Sequence, residues 1–98
     1  MNKAELVERV AQKTGMSLRD ARTVIDAVFD PDPEVGLIAR ELVAGGKVAI
    51  SGFGTFEARG RKARIGRNPH TGESLDIPAT RAPAFKAGKP LKETLRKA

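Results

Sequence analysis

The chain has 98 residues, with 18 Lys and Arg against 12 Asp and Glu, a formal net charge of +6 and no cysteine. This length predicts one domain, and the absence of thiols excludes disulfides, thiolate metal sites and a cysteine nucleophile. Residues 1–46 hold six cations and eight acids and residues 47–98 twelve cations and four acids, so the second half is expected to meet a polyanion.

No apolar run approaches the roughly 18 residues that a membrane span requires. The opening Met1-Asn2-Lys3-Ala4-Glu5 lacks the apolar stretch of a secretory leader. The expected location is the cytoplasm.

Asn2 is placed to cap a first helix, with Glu5 three residues on as its capping-box partner. Leu6, Val7, Val10 and Ala11 then form one apolar stripe at helical spacing, and Gly15 ends the helix. Ser17 and Asp20 repeat the box. Leu18, Ala21, Val24, Ile25, Val28 and Phe29 make a second stripe, and both stripes are expected to end in ordinary core. Asp30-Pro31-Asp32-Pro33 interrupts, because each proline removes a backbone donor and clashes with the preceding turn. Asp32 reads as a new cap with Pro33 at the first helical position, predicting a separate helix over residues 33–44.

After Gly46 the period changes to two. Val48 and Ile50 alternate with Lys47, Ala49 and Ser51, Gly52-Phe53-Gly54 allows a bend, and Thr55 and Phe56 continue as strand. From Glu57 the apolar side thins, yet nothing breaks extension before Gly66. Asn68-Pro69-His70-Thr71-Gly72 is a turn, and Leu75 and Ile77 alternate on a return strand that Pro78 ends. Two strands and a turn with almost no core residues predict a projecting hairpin. Ala84, Phe85 and Lys86 form a last strand segment. Gly88 and Pro90 then open a terminal helix with Leu91 and Leu95 one turn apart.

The body left once the hairpin is set aside is small for a stable monomer, so a dimer that pools two apolar sets is expected. Its core would take Phe29, Leu42, Ile50, Phe53, Phe56 and Phe85. This assignment uses all four aromatics and leaves none among the hairpin cations to stack on bases. Stacking-based recognition of single strands or RNA is therefore disfavoured.

A basic two-stranded ribbon fits a DNA groove. Alternation puts Arg59 and Arg61 on one face and Lys62 and Arg64 on the other, and guanidinium forks suit phosphate. Pro69 lies at the tip, where a proline presets the turn and where a rigid apolar ring could also enter between base pairs. The alternative is that the cations form only a solvated, solubilising face. Enzyme readings fail on inventory. His70 is the only histidine, Gly52-Phe53-Gly54 lacks the third glycine of a dinucleotide loop, and Gly46-Lys47-Val48 has no hydroxyl after its lysine. No cofactor, metal or small-molecule substrate is expected.

The segment SGFGTFEARGRKARIGRNPHTGE, residues 51–73, resembles the signature of the HU/IHF family of bacterial nucleoid-associated proteins. PAFKAGKPLK, residues 83–92, is similar to that family's final strand and helix, and MNKAELVERVAQKTGMSLRDARTVIDAVF to its opening helix pair. Nearly the whole chain is covered, and the likeness is closer to HU. The resemblance implies an α+β, intertwined dimer: a helical base supports a saddle-shaped antiparallel sheet, and two β-ribbon arms reach around double-stranded DNA in the minor groove.

In that scheme residues 1–46 are the dimerisation base, with an insertion at 30–36. Residues 47–58 and 79–98 are the sheet body and terminal helix, and 59–78 the arm. Arg59, Arg61, Lys62, Arg64 and Arg67 become arm contacts, Asn68 and Pro69 the tip, and Pro69 the intercalating wedge. Lys86, Lys89 and Lys92 become body contacts to flanking phosphates, and Lys3 a flank contact. The implied function is architectural: bending DNA and compacting the nucleoid with little sequence specificity, as a homodimer or a heterodimer with a paralogue. A basic RNA-associated structural protein is the second reading. Ala87 departs from the family, which usually has proline there.

Overall fold

Asn2 Oδ1 accepts the Glu5 N–H at 2.9 Å and so starts α1 (Lys3–Thr14), which ends at Gly15, whose N–H donates to the Ala11 carbonyl. Ser17 Oγ accepts the Asp20 N–H at 3.0 Å and starts α2 (Leu18–Phe29) in the same way. Each cap satisfies a donor that the first helical turn leaves without a partner, worth about 1 kcal/mol. The computed structural model describes residues 1–98, which divide into two units, 1–44 and 45–98.

In the first unit Val7 and Ala11 of α1 are buried with Ala21 and Ile25 of α2, and Leu6, Val10 and Met16 pack against this cluster. The stripe on α2 is wider than one neighbouring helix can cover. Leu18, Val24 and Phe29 remain exposed, Phe29 by 51 %. The expectation that both stripes are ordinary core therefore holds for only one side of α2.

α2 stops at Phe29, where Asp30 turns extended (φ −60°, ψ 134°), because a residue before proline is pushed out of the helical region. Asp32 does cap, but it caps one turn and not a helix. Its Oδ1 accepts the Glu34 N–H at 2.9 Å, and its carbonyl accepts from Val35 at 3.0 Å and Gly36 at 2.8 Å. The helix expected from residue 33 begins instead at Leu37, so α3 is Leu37–Val43. Gly36 explains the delay. It is buried and extended, and it passes so close to Asp30 that a Cβ would overlap the Asp30 carbonyl oxygen. The chain folds back on itself at a point where no side chain fits.

The second unit contains β1 (Val48–Ile50), β2 (Gly54–Arg61), β3 (Arg64–Arg67), β4 (Ser74–Ile77), β5 (Thr80–Ala87) and α4 (Lys89–Lys97). One antiparallel sheet has the order β1-β2-β5, and β3 and β4 pair as a separate two-stranded ribbon. The last strand is longer than the expected Ala84–Lys86. It pairs with β2 along its whole length and lies at the sheet edge, where Pro83 is tolerated. The expected unbroken extension from Glu57 to Gly66 is interrupted at Lys62-Ala63. Arg61 pairs with Thr80 and Arg64 with Ile77, so two residues on each strand separate the ladders and neither strand carries an extra one. Pro78 lies in that gap and has no N–H to donate.

Val48, Ile50, Phe56 and Phe85 share one face of the sheet. The Phe85 ring lies 4.8 Å from that of Phe56 and 5.6 Å from that of Phe53. Gly54 makes room for it, since a Cβ there would sit 2.5 Å from the Phe85 ring. This face is not closed within one chain. Ile50, Phe53 and Phe85 are exposed and Phe56 is half-buried; in the helical unit Phe29 is exposed and Leu42 half-buried. The residues expected to form a shared core are thus largely uncovered in the single chain. Gly88 donates its N–H to the Phe53 carbonyl at 2.8 Å and seats the start of α4 on the β1–β2 turn. No helix is long and apolar enough to cross a membrane.

Candidate nucleic-acid interface

Strand alternation sets the side of the sheet opposite the phenylalanines. Glu57 and Arg59 of β2 and Lys86 of β5 share that side, because Thr55 pairs with Lys86, Glu57 with Ala84 and Arg59 with Ala82. Lys47, just before β1, reaches the same side and places its Nζ 3.4 Å from Glu57 Oε2, while Arg59 Nε donates to Glu57 Oε1 at 3.3 Å. One carboxylate therefore ties two cations at the root of the ribbon. Neither Lys47 nor Glu57 is among the site residues expected from sequence; the alternation of Lys47 and Ala49 against Val48 and Ile50 is the signal for the first.

The hydrogen bond from Arg59 holds the Glu57 carboxyl below its ordinary value, burial opposes this, and Lys47 and then Lys86 reinforce it. A folded-state value below the unfolded one means that the pairing stabilises at neutral pH and is lost as pH falls through the lowered value. Glu57→Gln is expected to melt below the parent at pH 7, with the gap closing as pH falls below the ordinary carboxylate range. A gap that is constant across a melting series over this range would contradict the assignment.

The ribbon carries five of the predicted cations. Arg59, Arg61, Lys62, Arg64 and Arg67 are all exposed. Arg59 and Arg61 alternate onto one side of β2, while Arg64, opposite Ile77, and Arg67, opposite Ser74, lie on different faces of β3–β4. At the tip, Asn68 Oδ1 accepts the His70 N–H at 2.9 Å. The Asn68 N–H donates to the Glu73 carbonyl at 2.9 Å, and the Asn68 carbonyl accepts from Gly72 at 2.8 Å. Gly72 takes φ +73°, which closes the turn without strain. Asn68 is half-buried by these bonds, and Pro69 is left exposed at the apex.

Lys86 lies on β5 and Lys89 and Lys92 at the start of α4, all three exposed. The first turn of α4 holds no acid, so the positive end of the helix dipole adds to the lysines instead of being offset. Lys3 belongs to the helical unit, where its Nζ is paired with Asp26. Among His, Cys, Asp and Glu no cluster is grouped to hold a metal.

A model of the family described as bacterial DNA-binding protein matches residues 1–96. The chain belongs to that family, which includes the HU proteins. DNA-binding protein HU-1 of Halalkalibacterium halodurans is 52 % identical over 96 residues, covering 98 % of this chain and all of the relative. DNA-binding protein HU of Geobacillus stearothermophilus is 50 % identical with the same coverage. Among solved structures, an Anabaena HU–DNA cocrystal structure aligns over the whole of both chains with TM-score 0.83 and 45 % identity. HU from Thermotoga maritima aligns over 97 % of this chain and 98 % of its own with TM-score 0.63 and 33 % identity. The HU fold is thus the fold of this chain, α+β with helices and antiparallel strands as expected.

Proposed function

We propose that the chain is an architectural protein that bends double-stranded DNA, laying its ribbon in the minor groove with Pro69 as the wedge. The carrying observation is the ribbon itself: exposed cations on both faces, no core, and a proline held at the apex by the bonds Asn68 makes. Arg59, Arg61, Lys62, Arg64 and Arg67 neutralise phosphates on the two groove walls, and Asn68 shapes the tip. Apolar wedges at such positions part a base step and kink the duplex, a mode of which HU and its relatives are known examples. Lys86, Lys89 and Lys92 take the phosphates flanking the kink, and Lys3 becomes available to one by exchanging Asp26 for it.

The working unit is a dimer. Phe29, Ile50, Phe53 and Phe85 are too exposed in one chain for residues of their size, and a second copy supplies the missing cover, with Leu42 and Phe56 at its margin. A homodimer suffices, and a paralogue with the same exposed apolar residues would serve as well. The role is non-catalytic and its place is the cytoplasmic nucleoid. The RNA reading is disfavoured, since the relatives are named for DNA and the ribbon bears no aromatic side chain. The test compares affinity of the purified chain for a nicked DNA duplex and an RNA duplex of equal length. Clear preference for the DNA is expected; equal affinity would remove the reading.

A further inference from the structure

Ile65 is the most exposed large apolar residue of the arm, and neither the fold nor phosphate binding accounts for it. It is 76 % exposed. Ile77 is half-buried over Gly66, where an added Cβ would come within 3.0 Å of its Cδ1, and Leu75, 46 % exposed, lies on the same face. Ile65 projects from the opposite face, level with Asp76 and two residues from Arg67. Arg59 and Arg61 precede it along the arm, across the two-residue gap at Lys62-Ala63. Ile65 is therefore a large apolar side chain on the face of Arg67, set among the arginines of the arm.

We infer that Ile65 lies against the floor of the minor groove and makes the arm discriminate against guanine. The inference rests on the DNA-bending reading above. Cations on either side of Ile65 are drawn to the two phosphate walls, which leaves the side chain between them over the base edges. An A·T pair presents only acceptors there, whereas a G·C pair adds the guanine N2 amine. That amine projects from the floor. An apolar side chain pressed over it removes the donor's water and returns no hydrogen bond. Asp76, across the ribbon from Ile65, is the competing group: a carboxylate facing the floor would accept from the amine and favour guanine.

The test uses the full chain and two duplexes of one sequence, in one of which every guanine is replaced by inosine. Inosine lacks only the 2-amino group, so the major-groove edge is unchanged. The parent is expected to bind the inosine duplex roughly tenfold tighter, the equivalent of one poorly accommodated group. Ile65→Thr keeps a β-branched strand former and is expected to cut that preference about fivefold. Ile65→Val should retain the preference. Inosine pairs also deform more easily, and that part of the preference persists in every variant; the change between parent and Ile65→Thr is what decides. An equal preference in both proteins overturns the inference, and so does a preference for the guanine duplex, which would assign the groove-facing position to Asp76. Failure of the parent to bind either duplex in a salt-dependent way would instead remove the DNA-bending reading itself.

Discussion

Pro69→Ala is expected to leave the protein on DNA but the DNA much straighter. The arm cations are untouched by this change, so the sequence-independent attraction to phosphate remains. What is lost is the ring that fills an opened base step, and for minor-groove wedge proteins, HU among them, unstacking costs a few kcal/mol per step. The tip is expected to survive, because it is built by Asn68 accepting from His70 and Gly72 and donating to Glu73, none of which uses the proline ring. Energy transfer between labels at the two duplex ends reads the bend. The variant should show a smaller bend and a reduced preference for nicked over intact duplex, with only a modest loss of affinity for the intact one. An unchanged bend would make Pro69 a turn residue and nothing more.

Phe85→Ala carries the second large effect, and its size reports on the partner. Within one chain Phe85 touches Phe53 and Phe56 yet is 43 % exposed. Truncating a fully buried phenylalanine costs about 3–5 kcal/mol, and a half-exposed one correspondingly less. If a second copy covers this face, the loss falls in the upper range, and the parent's melting midpoint rises with protein concentration by mass action. Thermal melts over a hundredfold range of concentration, about the span needed to resolve such a shift, give both quantities together. A parent midpoint independent of concentration, with a small loss in the variant, would mean that the chain is stable alone.

Features whose partners are close in the chain are legible in the amino-acid sequence itself. The Asn2 and Ser17 caps, Gly15 and the end of α2 at Asp30 depend on bonds and clashes within about one helical turn. The start of α3 is not legible in this way. Asp32 and Pro33 carry every local sign of a helix start, but the close passage of Gly36 against Asp30 depends on the direction in which the chain returns. The break at Lys62-Ala63 is hidden for a similar reason, since the residues it faces, Pro78 and Ala79, lie on the other strand. The site divides along the same line. The cations and Pro69 are visible by residue type and order. Glu57 and Arg59 are two apart on one strand, but the tie to Lys47 needs the β1–β2 register, and Glu57 by itself looks like one more surface acid.

If the arm's charge neutralises phosphate, the affinity for a duplex must depend steeply on salt. Each phosphate contact releases condensed counterions and steepens the plot of log affinity against log salt by roughly 0.9. Arg64→Ala removes one contact per arm, so with two arms in a dimer the slope is predicted to flatten by about two. Binding should weaken alike on unrelated sequences. Lys13→Ala, late in α1, is the control and should keep the parental slope. Equal slopes for Arg64→Ala and the parent would mean that the arm does not neutralise phosphate and would leave it as a solubilising surface.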